Sequence, residues 1–268
     1  MTDTEITTYI EEEISSFFEN DSCNTLAGHN HMKIYDTPLI GYALADDPCF
    51  KEFSKPNIIG PHYTPPNEWL TGAKSVIVYF MPFTKQIRDS NRLPGLPSLE
   101  WVSSRKEGES FNNVVRAFLV DLMIRLGGQA AIPLKDSRFF VEGNTTNWSE
   151  RHAAFAAGLG TFGLHKGIIT QKGCAGRVGS VITTLELIPT ERSYTQYFDY
   201  CLYLARGQCG ACIKRCPAGA ISKDGKNNQV CSDYIEKKVC SRFASPKACA
   251  KCNVGVPCEY RNPSAIVP

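Results

Sequence analysis

Nine of the chain's twelve cysteines lie between Cys201 and Cys258, and this crowding limits what the C-terminal part can fold around. A disulfide scaffold would suit a short secreted chain with a signal peptide. This chain has 268 residues, and its first residues, MTDTEITTYIEEEISSFF, carry acids where a signal or transit peptide would carry Lys or Arg. The expectation is therefore a cytoplasmic protein with soft thiolate metal sites, for which paired C-x2-C spacings are suited. Hydrophobic residues make up 43% of the chain, enough for a packed interior. No apolar run is long enough to span a membrane. The net charge of +2 gives no sign of an obligatory nucleic-acid partner.

The clustered cysteines form two rough repeats, Cys209-x2-Cys212-x3-Cys216-Pro217 and Cys249-x2-Cys252-x5-Cys258. Each [4Fe-4S] cluster needs four thiolates, and a C-x2-C loop lets two cysteines grip a cubane while backbone N–H groups point at its sulfides. Beside these six, Cys201, Cys231 and Cys240 are available, one more than two clusters require. The bacterial ferredoxin run is C-x2-C-x2-C-x3-C-P, and where its first cysteine would stand this chain has Arg206. In two-cluster ferredoxins the last cysteine of each run serves the other cluster. That rule groups Cys209, Cys212 and Cys258, with Cys201 replacing the absent ligand. It also groups Cys216, Cys249 and Cys252, with Cys231 or Cys240 completing the set. Two four-cysteine zinc sites would fit the paired spacings as well; Pro217 and the following Ala218-Gly219-Ala220-Ile221 suit the ferredoxin turn better. Cys23, Cys49 and Cys174 read as buried small hydrophobes or surface thiols.

Upstream, residues 4–19 show the period of an amphipathic helix, with Ile6, Tyr9, Ile10, Ile14, Phe17 and Phe18 on one face. A Pro- and Gly-rich stretch over 36–72 reads as a binding loop or surface wrap. Residues 72–83, 138–143 and 177–187 read as strands, 110–126 and 149–160 as helices. Strands alternating with helices to about residue 190 imply an α/β or α+β core, residues 1–193. Residues 194–268 read as a separate cluster-binding module.

The segments SERHAAFAAGLGTFGLHKGIIT (149–170), RVGSVITTLEL (177–187), CGACIKRCPAGAI (209–221) and CSDYIE (231–236) together resemble the epoxyqueuosine reductases and, more distantly, the reductive dehalogenases. The resemblance implies a nitroreductase-like α/β core holding cobalamin, followed by a ferredoxin-like module with two [4Fe-4S] clusters. It implies Cys231 rather than Cys240 as a ligand. It places the turn Gly158, Leu159, Gly160, Thr161 and Gly163 against the corrin ring, where the absence of side chains would let backbone approach. A helix C-cap followed by a tight turn would explain Gly158 and Gly160 equally well.

Two departures bear on chemistry. Where the epoxyqueuosine reductases carry a proton-donating Asp, six residues before Glu150, this chain has Asn144, and an amide holds no titratable proton. His152, His165 and Glu142 are then the candidate acids nearby. The sequence ends ten residues after Cys258, short of the helical repeats that carry longer members toward tRNA, so the expected substrate is a small electrophile and not nucleic acid. Residues 56–70 and the acids and histidines of 142–165, with His29, His31 and His62 within reach, are expected to line the pocket. Two functions follow. One is a cobalamin-dependent reductase drawing on a low-potential donor such as ferredoxin or flavodoxin. The other is an electron-transfer protein serving a corrinoid protein, with no substrate chemistry of its own.

Overall fold

The computed structural model describes residues 3–143, 145–243 and 248–265. The first helix, α1 (Asp3–Asn20), follows the amphipathic period of its sequence and buries Ile10, Ile14 and Phe18. Next come β1 (Leu39–Leu44) and β2 (Ser75–Pro82), then the long helix α2 (Leu99–Arg125). Ser98 caps α2 by accepting the Trp101 amide on its hydroxyl, so the helix starts eleven residues before the apolar period became evident at 110. A short strand β3 (Ala130–Ala131), helix α3 (Glu150–Ala156), the hairpin β4 (Gly160–Phe162) and β5 (Ile168–Thr170), and strand β6 (Gly176–Thr183) complete the core.

The central sheet runs β1-β2-β6-β3, and every pairing in it is antiparallel. The fold is therefore mixed α and β without the parallel crossovers that strict alternation would give. All eight residues of β2 are buried. Ile77, Tyr79 and Met81 pack under α1 and α2, and Val76, Val78 and Phe80 pack toward α3. A strand covered on both faces reads as the continuous apolar run seen in its sequence.

The stretch 36–72 is not a loop. It supplies β1 and two short helices, Pro48–Glu52 and Pro66–Trp69, and it buries Phe53, Tyr63 and Trp69 around Trp148. Its prolines open both helices at positions where no amide partner is needed. The expected strand over 138–143 shrinks to Val141–Glu142, paired with Thr145–Thr146 in an exposed hairpin.

The cysteine-rich segment carries short helices α4 (Leu202–Arg206), α5 (Ala211–Arg215) and α6 (Asn228–Tyr234). It is tied to the core by hydrogen bonds. The amides of Cys174 and Ala175 donate to the carbonyls of Cys258 (2.9 Å) and Glu259 (3.0 Å). Buried Glu259 pairs with Arg88 (3.1 Å) and Arg92 (2.8 Å), and buried Lys251 donates to the carbonyls of Asn91 and Leu93. Among the described residues no helix is long and apolar enough to cross a membrane.

Candidate functional site

The cysteines gather in two sets of four. Cys201, Cys209, Cys212 and Cys258 line one small cavity with His165. Cys201 precedes α4, Cys209 and Cys212 bracket the start of α5, and Cys258 arrives from the C-terminal turn. Cys209 itself has φ +86°, in the left-handed region that non-glycine residues seldom adopt. Burial, together with neighbouring Cys258, Cys201 and Cys209, pushes the Cys212 thiol up to about 12. Cys216, Cys231, Cys249 and Cys252 line a second, much larger cavity of about 760 Å3. Burial again dominates at Cys252, pushed up to about 12, with Cys249, Cys216 and Cys231 adding to it against Lys226. Cys240, in the π-helical turn Ile235–Cys240, does not line that cavity.

Burial makes Cys212 and Cys252 resist ionisation, whereas hydrogen bonds from Cys174 and His165 lower Cys258; bound iron or zinc would supply positive charge to the thiolates. One thiol of each set already accepts a backbone amide. Ala211 N–H donates to Cys209 Sγ (3.5 Å) and Ala220 N–H to Cys216 Sγ (3.3 Å), the contacts that steady cluster ligands. The donor chemistry of both sets therefore fits iron–sulfur clusters.

The large cavity runs from the second set to a charged wall beneath the sheet. There Glu150 receives Arg116 Nη2 on both carboxylate oxygens (2.9 and 3.1 Å) and the Ser180 amide on Oε1 (3.1 Å). Burial pushes the Glu150 carboxyl up, and Arg116 opposes it. Burial would raise Glu109 too, but Arg177, Arg116 and Arg105 together outweigh it and hold that carboxyl below its usual range. Phe80, Trp101, Phe139 and Trp148 supply an aromatic surface.

Several expected site residues lie elsewhere. Asn144 falls outside the described residues. His152 does not line the cavity; its ring packs against Phe53 and Phe162 (centroids 5.1 and 4.7 Å), its Nδ1 meets Ser149 Oγ (2.8 Å), and burial holds it down to about 3. Glu142 is exposed and lines no part of the cavity, nor does any residue of 56–70. His29, His31 and His62 are absent from its walls as well. His165, which borders both cavities, and Glu150, which lines the larger one, are the exceptions.

The glycine turn is filled by protein. A Cβ at Gly160 would sit 2.0 Å from the Ile169 carbonyl oxygen, one at Gly158 3.0 Å from Thr190, and one at Gly163 2.8 Å from His165 Nε2. Leu159 is buried in the apolar core, and buried Thr161 accepts the Tyr200 amide on Oγ1 (2.9 Å). None of these five residues lines either cavity. The close approach that glycine permits is used for hairpin and ring packing.

Glu150 falls among the acids of 142–165 expected at the pocket, although the sequence assigns it no role, whereas the place of Cys174 is unexpected. The Cys174 sulfur lies 3.8 Å from Cys258 Sγ, and with His165 these three offer donor atoms within 4.8 Å of one another. Cys174 also lines the large cavity, so it stands between the two cysteine sets. The alternation of apolar residues around position 174 holds no sign of this, since the contact is made across 84 residues.

The chain superposes on several solved structures. A selenomethionine-labelled epoxyqueuosine reductase matches at TM-score 0.52 and 16% identity, over 94% of this chain and 66% of that one. The epoxyqueuosine reductase of Streptococcus thermophilus matches at 0.55 and 17%, over 98% and 68%. The catabolic reductive dehalogenase NpRdhA, in complex with 3-bromo-4-hydroxybenzoic acid, matches at 0.57 and 14%, over 84% and 30%. The chain has the fold of the epoxyqueuosine reductases and reductive dehalogenases. It spans about two thirds of the former's length and under a third of the latter's. No family model and no curated protein matches the sequence.

Proposed function

We propose that this chain is an iron–sulfur reductase that passes electrons through two [4Fe-4S] clusters into the large cavity. The observation that carries the reading is that Cys216, Cys231, Cys249 and Cys252 share that cavity with Glu150, so a reducing centre and a carboxyl meet in one space. Cys201, Cys209, Cys212 and Cys258 would hold the first cluster. Cys209 is exposed, which supports electron entry from a soluble low-potential donor at that end. In this reading, residues 194–268 act as the cluster-binding portion and residues 1–193 as the substrate-binding portion.

A corrinoid is the acceptor to test first, because one structure of this fold is described as a B12-dependent dehalogenase. The cavity's size, its aromatic wall and its contact with the second cysteine set accommodate a large flat cofactor, while the glycine turn offers it no surface. When bound, a corrinoid supplies low-valent metal reactivity toward a small electrophilic substrate. The chain's own contribution is Glu150, whose carboxyl burial pushes up against the opposing pull of Arg116, while three arginines hold the Glu109 carboxyl below its usual range. Arg105, Arg151 and Arg177 leave the charged wall net positive and orient the substrate.

The test is metal analysis of protein purified without oxygen and reconstituted with iron, sulfide and cobalamin. About eight iron and about one cobalt per chain support the reductase, since two cubanes need eight iron atoms. Eight iron without cobalt would favour the second reading, an electron carrier to a separate corrinoid protein, which the filled glycine turn favours. Four-coordinate zinc in place of iron would refute both.

A further inference from the structure

Among the described residues His165 alone lines both cavities, and three observations fix its ring. The amide of Gly167 donates to Nδ1 (3.0 Å), so Nδ1 carries a lone pair and the proton of the neutral imidazole sits on Nε2. Nε2 lies 3.7 Å from Cys258 Sγ. The ring is gripped by glycines on both sides, since a Cβ at Gly163 would come 2.8 Å from Nε2 and one at Gly167 2.8 Å from Nδ1. The imidazole is 97% removed from solvent, at 3% exposure, so no water competes for that proton.

We propose that His165 sets the reduction potential of the first cluster by donating its Nε2–H to the sulfur of Cys258. The inference rests on reading Cys201, Cys209, Cys212 and Cys258 as cluster ligands. A hydrogen bond to a ligand sulfur withdraws electron density and stabilises the more negative reduced cluster, so it raises the potential. The bond is strongest in a dry, low-dielectric setting, which the buried ring provides. The redox step is a one-electron reduction of the cluster by an external donor. No bond to His165 forms or breaks, and its Nε2 proton stays in place. His165 thus acts through Cys258 as a positioning residue and touches no reacting atom. Cys174, 3.8 Å from the same sulfur, is a second donor to it, and its S–H is shared with the Asn253 carbonyl (3.8 Å).

The experiment is an EPR-monitored redox titration with dithionite on the full chain, purified and reconstituted without oxygen. The first cluster's signal is assigned with Cys231→Ser, expected to retain that cluster alone. His165→Leu should move the first cluster's midpoint to a more negative value and leave the second unmoved. His165→Gln, which keeps an N–H donor, should recover part of the shift. Gly167→Ala, which displaces the ring without changing its chemistry, should reproduce the Leu shift in direction.

An unmoved first midpoint in His165→Leu at full iron content overturns the proposal, and so does an equal shift of both clusters. Should His165→Leu fail to assemble the first cluster, an unmoved midpoint in Gly167→Ala overturns it instead. A non-iron metal bound one to one in the native chain and lost in His165→Leu would make His165, Cys174 and Cys258 an ion site, which also refutes it. Native protein lacking both cluster signals would refute the iron–sulfur reading, a failure visible before any variant is made.

Discussion

Arg116 holds Glu150 by a two-pronged hydrogen bond beneath the central sheet, joining the middle of α2 to the first residue of α3. Arg116 is 1% exposed, and its Nη1 donates to both Glu109 and Asn113 (2.9 Å each). Removing one partner of a buried pair leaves the other charge uncompensated. Arg116→Met should therefore destabilise the fold by about 3–5 kcal/mol, read as a lower urea midpoint. A midpoint within error of native would show that Ser180 alone can satisfy Glu150.

Glu150→Gln tests the same contact from the chemical side. An amide keeps the shape and most acceptor contacts but holds no exchangeable acid proton. Iron content should be unchanged, whereas any reductase turnover supported by the holoenzyme should fall by about 10²-fold or more. Undiminished turnover would transfer the proton to solvent or to another group.

The cysteine sets predict selective losses. Cys201→Ser should lower iron from about eight toward about four atoms, leaving the second cluster's EPR signal intact. Cys231→Ser should do the converse. Cys240→Ser should keep both signals, because Cys240 does not share the second set's cavity. Loss of the second signal in Cys240→Ser would exchange the roles of these two residues.

His152 should make stability depend on pH. Burial, aided by Arg151, lowers it from 6.5 to about 3 in the folded chain. Between those values the unfolded chain binds a proton that the folded chain refuses, so stability falls as pH drops through that window, by up to about 1.4 kcal/mol per pH unit. Above 6.5 both states are neutral and the contribution vanishes. His152→Gln should flatten this part of the curve between pH 6.5 and pH 4; an unchanged slope would show that the imidazole ionises in place.

Gly160→Ala examines whether the glycine turn serves packing. The added methyl would meet the backbone carbonyl of Ile169 at 2.0 Å, so the β4–β5 hairpin must shift. A loss of roughly 1–3 kcal/mol is expected, measured by thermal unfolding, with cluster content retained. Unchanged stability together with loss of bound cobalamin would instead return the turn to the cofactor.

By itself the sequence determined the thiolate chemistry, the two C-x2-C loops, the amphipathic first helix and the buried strands, because each depends on neighbours within a few residues. It also carried the likeness to the fold found, through motif order along the chain. Only the tertiary structure decided which distant side chains meet. Cys174 reaches Cys258 through the pairing of its backbone with the C-terminal turn, and Glu150 reaches the cavity because Arg116 draws it under the sheet. The proline-rich stretch 36–72 is structured for the same reason. Its aromatic residues become core only once Trp148 is beside them, Tyr63 stacking at 6.0 Å. The glycines of 158–163 likewise look like room for a ligand along the chain, and it takes the packed hairpin and the His165 ring to fill that room.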